Sequence, residues 1–175
     1  MNNRYVLSTF LICLSLTVLT LLVIKVLNKR THPEFPDDLP HFSLVTWEGA
    51  RFSADSLSDR KIIVVFYSLD CLFCEHEGRD LARHSADFAD CQLLFVTCAP
   101  PDSAAAYALR TGIGGVDYFY SLVDTTNRFP LLFGIRTTPT TLIYGRDRKL
   151  VKAFEGEVNA AKLLKTIQQN EETKE

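Results

Sequence analysis

Two cysteines separated by two residues, Cys71 and Cys74 in "SLDCLFCEH", are the residues of this chain best suited to chemistry. That spacing serves a redox couple, half of a metal site, or two thiols with no shared task. A metal site would have to draw on Cys71, Cys74 and His76 or His84, yet no second cysteine pair with zinc-like spacing exists, and no metal is expected. Cys91 and Cys98 bracket a strand-like run at an odd separation that points them to opposite faces. They read as buried apolar strand thiols, not as a second redox pair.

The elements around the pair decide what it can do. "KIIVVFYS", Lys61 to Ser68, is a continuous β-branched and aromatic run, as expected of a strand buried on both faces. After the cysteines, "EHEGRDLARHSADF" carries Leu81, Ala82, Ala86 and Phe88 amid charges, an amphipathic helix with Gly78 as its weak point. Cys71 is therefore expected at the amino end of a helix. There, unpaired backbone N–H groups and the positive end of the dipole favour thiolate over thiol.

The same alternation runs along the chain. "HFSLVTWEGARFSADSL" gives two short strands around Glu48-Gly49, "CQLLFVTC" a buried strand, and "DSAAAYALR" a helix capped by Asp102 or Ser103. "YFYSLVD" is a strand and "TTNRFPLLFGI" a short irregular helix; "TTLIYG" and "KLVKAFEG" form a hairpin across "GRDRK", and "NAAKLLKTIQQN" closes as a helix capped by Asn159. The expected class is α/β, a central mixed β-sheet flanked by helices.

Composition sets the outer bounds. A net charge of -2 and the absence of any large basic cluster argue against nucleic acid as a partner, and "GRDRK" reads as a solvated turn. The amino end differs from the rest: Val6 to Ile24 is an apolar run of roughly 19 residues, the length of a membrane-crossing helix. No small-residue cleavage site follows it, so an anchor is expected in place of a cleaved signal peptide. The expected organisation is a short tail at 1–4, a transmembrane anchor at 5–27, a proline-rich linker at 28–38, a folded domain at 39–170 and a disordered tail at 171–175. Lys25, Lys29 and Arg30 follow the span and Arg4 precedes it, which does not settle the orientation.

"LPHFSLVTWEGARFSADSLSDRKIIVVFYSLDCLFCEHE" resembles the opening of TlpA-like and ResA-like membrane-anchored thiol-disulfide oxidoreductases of the thioredoxin superfamily, in its AhpC/TSA-Redoxin-like branch. "GIRTTPTTLIYGRDRKLVKAFEG" resembles their threonine-proline step before the last hairpin. The resemblance covers roughly Leu39 to Asn170 and implies a thioredoxin-like fold. It further implies that Cys71 attacks, that Cys74 resolves the mixed disulfide, and that the two form the Cys71–Cys74 disulfide. Pro139 would be cis, setting the Thr138 backbone to bind an extended substrate. Glu77 matches the glutamate these relatives carry near their site and would act in acid–base catalysis; the bland reading is a solvated helix residue.

Two departures stand out: Asp70 occupies a position usually held by Trp or another bulky residue, and Val65 one often held by a buried acid or amide. Asp70, Glu75 and Glu77 oppose ionisation of Cys71, so a reductant is expected; His76 reads as solvated. The implied partners are a protein thiol or disulfide client, a membrane electron-donor protein and the membrane itself, with no cofactor beyond the cysteine pair. The implied location is a single-pass membrane protein whose soluble domain is periplasmic or extracytoplasmic in a bacterium. Two rival functions remain. One is a peroxiredoxin-type thiol peroxidase using Cys71, supported by Ser68 three residues before it but not by Val64, where that family has proline. The other is a non-catalytic thioredoxin-fold binding or metal-handling module.

Overall fold

The computed structural model describes residues 13–21 and 35–172. Residues 13–21 are helical and exposed, and among the described residues no helix is long and apolar enough to cross a membrane. The tail at 1–4, the remainder of the anchor expected at 5–27, linker residues 28–34 and residues 173–175 lie outside the described residues. The chain divides into two units at Glu34 and Phe35.

From Phe35 onward, seven strands form one sheet: β1 Ser43–Thr46, β2 Arg51–Ser53, β3 Lys61–Phe66, β4 Cys91–Thr97, β5 Phe119–Val123, β6 Thr140–Tyr144 and β7 Leu150–Glu155. Their spatial order is β2-β1-β5-β4-β3-β6-β7. β3, β4 and β5 run parallel, and the outer pairs are antiparallel, so the sheet is mixed as expected. Four helices complete it: α1 Leu72–Arg83, α2 Pro101–Thr111, α3 Phe129–Leu132 and α4 Ala160–Glu172.

Alternation along the central strands splits the core in two. Ile63, Val65, Tyr67, Leu93 and Phe95 meet Leu81 of α1, Tyr107 and Ala108 of α2, and Leu163 and Ile167 of α4 on one face. Ile62, Val64, Phe66, Leu94 and Val96 meet Phe42, Phe129, Phe133 and Ile135 on the other. The second face is thus closed by aromatic rings from α3 and from irregular chain, not by long helices. Phe129 and Phe133 stack with centroids 4.1 Å apart, and Phe42 meets Phe129 edge-on at 5.7 Å.

Several local expectations change. Packing starts four residues before Leu39: Phe35 lies against the second core, the Leu150 N–H donates to Asp37 O at 2.7 Å, and Asp38 pairs with Lys149. "GRDRK" is a tether as well as a turn, since Arg146 and Arg148 donate to the carbonyls of Asp59 and Ser58 at 2.9 and 2.7 Å. Neither Asp102 nor Ser103 caps α2; Pro100 is the N-cap and Pro101 opens the helix, where its fixed φ fits and its missing N–H costs nothing. Asn159 does cap α4, its Oδ1 accepting from the Lys162 N–H at 2.9 Å, and that helix continues through residues 171 and 172, expected to be tail.

Candidate active site

β3 ends at Phe66, and Tyr67 extends its pairing by donating N–H to Val96 O at 3.0 Å. Four residues later the chain turns into α1 with Cys71 as its N-cap. The Cys71 sulfur does what a capping Ser or Asp oxygen does elsewhere: it accepts the Cys74 N–H, at 3.1 Å. Cys71 and Cys74 are disulfide-bonded with Cα atoms 5.2 Å apart. Cys71 is half-buried and Cys74 buried, so the outer sulfur is the one a partner can reach. Between them Leu72 and Phe73 stand 72% and 62% exposed, a large apolar surface at the mouth of the site.

Register brings the second motif beside the first. Phe66 pairs with Thr140, so the residues just before β6 adjoin the chain leaving β3. The Thr138–Pro139 bond there is cis. Pro139 O accepts from the Gly156 N–H at 2.8 Å, and the Thr140 hydroxyl donates to Thr137 O at 2.8 Å, which fixes the step. Thr138 and Asp70 line one cavity of about 370 Å³ with Ser68 and Cys98.

Glu77 is not a solvated helix residue. Its relative exposure is 0%, and it lies on the buried stripe Cys74, Glu77, Gly78, Leu81 of α1. The Thr141 hydroxyl donates to it at 2.5 Å and the Val158 N–H at 3.2 Å. Burial pushes its carboxyl up to about 7, against the lowering effect of those two donors. Thr141 is the register partner of Val65, so the helix supplies a buried acid beside the strand position where the sequence lacks one.

The remaining acids differ. Asp70 is exposed, and Glu75 is held by Arg79 at 2.6 Å and by Arg110 of α2 at 3.3 Å. His76 is exposed. Cys91 and Cys98 lie in opposite cores, as their odd separation requires, and neither is disulfide-bonded. Cys98 is half-buried; burial and the Asp124 carboxylate, 3.9 Å from its sulfur, push its thiol pKa up and keep it protonated.

Sequence reasoning missed Tyr107. Its hydroxyl donates to Cys74 O at 2.6 Å, and its ring stacks on Tyr67 with centroids 4.1 Å apart. The available signal was Gly78, read as a weakness in α1; a Cβ there would stand 2.9 Å from the Tyr107 hydroxyl, so the glycine makes room for it.

Comparison with known proteins agrees with this geometry. Among solved structures, peroxidoxin BcpB from Mycobacterium tuberculosis is 22% identical, covering 79% of this chain and 98% of that one at a TM-score of 0.67. A secreted M. tuberculosis disulfide oxidoreductase homologous to E. coli DsbE is 17% identical, covering 73% and 95% at 0.64. A putative thiol:disulfide interchange protein DsbE from Chlorobium tepidum is 18% identical, covering 79% and 98% at 0.62. At these identities the likeness establishes the thioredoxin-like fold. No curated protein matches the sequence. The AhpC/TSA family model matches residues 36–153, a span that takes in both the cysteine-bearing start of α1 and the Thr138–Pro139 step, and on that match the chain belongs to the AhpC/TSA family.

Proposed function

We propose that this chain is a membrane-tethered thiol-disulfide oxidoreductase that acts on protein clients as a reductant. The observation that carries the reading is a disulfide at a helix N-cap, its outer sulfur reachable and its inner one buried one helical turn from a buried carboxyl. In the reduced protein the Cys71 thiolate attacks a client disulfide, forming a mixed disulfide and releasing one client sulfur as a thiolate. Cys74, its proton taken by Glu77, then attacks the Cys71 sulfur, closes the intramolecular disulfide and releases the second client sulfur. Glu77, with a pKa of about 7, suits that proton transfer near neutral pH.

Thr138 offers its backbone to an extended client segment, and the exposed Leu72 and Phe73 offer apolar contact. The reductant direction rests on Asp70 and the ionised fraction of Glu77, because Arg79 and Arg110 offset Glu75. A dithiol consumed in each turnover needs two electrons from a membrane donor protein. The apolar run from Val6 to Ile24 supports tethering, and a tethered reductant has its use in an oxidising, extracytoplasmic space of a bacterium.

Equilibration of the full-length protein with dithiothreitol or glutathione buffers, following the Cys71–Cys74 disulfide by mass, tests this. A reversible two-electron couple well below the DsbA potential is expected. A disulfide that never reopens, or one as oxidising as DsbA, sinks the reading or its direction respectively. A second reading, a thiol peroxidase, is favoured by family membership and by Ser68 in the cavity beside Asp70. Turnover of hydrogen peroxide that is lost on Cys71→Ser and kept on Cys74→Ser would replace disulfide exchange by peroxidase chemistry.

A further inference from the structure

The main chain of Cys74 is held from two sides. Its N–H is donated to Cys71 Sγ at 3.1 Å, and its carbonyl receives the Tyr107 hydroxyl at 2.6 Å. Tyr107 and Cys74 are each 1% exposed, so no water competes for this bond. Other contacts fix the phenol: the Tyr67 ring stacks on it at 4.1 Å, and the Arg110 guanidinium lies 5.4 Å from its centroid while also bonding Glu75 of α1. α1 meanwhile gives up a side chain at Gly78, where a Cβ would come within 2.9 Å of the hydroxyl. A glycine inside a helix is unfavourable unless something requires it. Here the approach of Tyr107 does.

We propose that Tyr107 is a positioning residue, which holds Cys74 in the place from which its sulfur closes onto Cys71 and so raises the effective concentration of the resolving thiol. The inference rests on the redox reading of the cysteine pair. In the resolving step the Cys74 thiolate attacks Cys71 Sγ of the mixed disulfide. The bond from Cys71 to the client breaks, the Cys71–Cys74 bond forms, and the client sulfur leaves as a thiolate that takes a proton from water. Both the rate and the equilibrium of that step scale with the fraction of time Cys74 is in place. Removal of the hydroxyl bond lets the first turn of α1 leave that arrangement.

The test is the potential and the resolution rate of the full-length protein carrying Tyr107→Phe, which keeps the ring stack and deletes only the hydroxyl. Expected are a three- to tenfold slower decay of the mixed disulfide formed with a glutathione-blocked peptide, and a disulfide about 15 to 30 mV easier to reduce. Thr111→Val is the structural control, because the Thr111 hydroxyl donates within α2 to Tyr107 O at 2.8 Å and touches neither cysteine. It should lower the melting temperature and leave the potential alone. Gly78→Ala should shift the potential like Tyr107→Phe in the native background, yet add no further shift and raise the melting temperature in the Tyr107→Phe background. A potential unchanged by Tyr107→Phe, an equal shift from Thr111→Val, or additive shifts from Gly78→Ala and Tyr107→Phe would each overturn the inference while the redox reading stands. If the wild-type disulfide cannot be reversibly reduced, the redox reading falls and this inference falls with it.

Discussion

Two buried carboxyl groups, Glu77 and Asp124, sit on opposite faces of the same sheet, and their pKa values are shifted in opposite directions. Both are almost wholly out of contact with solvent, at 0% and 2% exposed, but Glu77 lies deeper in the packed protein than Asp124. Burial acts to raise both, more strongly at the deeper Glu77, and the donors around each set how much of that is offset. Asp124 accepts the Phe129 N–H at 2.7 Å, the Thr126 N–H at 3.0 Å and the Thr126 hydroxyl at 2.7 Å, and these hold it below the usual aspartate range. Glu77 has one hydroxyl and one N–H, too few to offset burial, and Glu157 and Asp80 add like charge. Asp124 is thus an anion throughout the neutral range, and it organises the turn into α3. Glu77 is a group that changes charge near neutral pH, which is what a proton carrier must do.

The largest expected effect that sharpens this contrast is on stability against pH. Glu77 has a folded pKa of about 7 against an ordinary 4.5, so between those values the native protein keeps a proton that the unfolded chain releases. Stability should therefore fall by about 3 kcal/mol as pH rises through that window. Urea denaturation across pH 4 to 8 should show the slope in the wild type and its loss in Glu77→Gln. Next, Glu77→Gln should slow disulfide exchange about 100-fold at neutral pH, the scale of a lost acid–base group, as read by single-turnover kinetics. A rate close to wild type would leave Glu77 a purely structural acceptor.

Asp124→Asn should cost about 2 kcal/mol at neutral pH, since a charged acceptor of three hydrogen bonds becomes a neutral amide. Its denaturation profile between pH 5 and 8 should keep the wild-type slope, because that slope belongs to Glu77; a flattened profile would break the comparison. The Asp124 contribution runs the other way, present above the ordinary aspartate range and lost as pH falls through its lowered folded pKa. The smallest effect is Thr141→Val, costing about 1 kcal/mol. With the hydroxyl donor gone, the Glu77 pKa should rise further, moving the end of the stability slope to higher pH.

The sheet was legible in the sequence because buried parallel strands advertise themselves: "KIIVVF" and "CQLLFVT" appear as strands with every central residue inside. The helix start at Cys71 followed from the same run ending there. The depth of Glu77 was not read, since α1 carries charges along most of its length and each looks alike on a surface-helix pattern. The clue lay in spacing, for Cys74, Gly78 and Leu81 form a stripe at four and seven residues, with Glu77 inside it. The Tyr107 contact crosses 33 residues and depends on how α2 leans over α1, which no local pattern encodes. The early start of packing at Phe35 was hidden for a similar reason, because its partners are in the second core and the last hairpin.

The placement of Cys91 and Cys98 in opposite cores bears on oxidative folding. If the chain matures in the oxidising space proposed above, it must choose among several ways of joining its thiols. Here the sheet itself stands between those two sulfurs, like the insulating layer between two conductors, so they cannot join each other once β4 has paired. Cys71 and Cys74 are only three residues apart in sequence and need no such help to meet. Fidelity of oxidation between these pairs then comes from the order of events: the shortest loop closes first, and strand pairing keeps Cys91 and Cys98 apart.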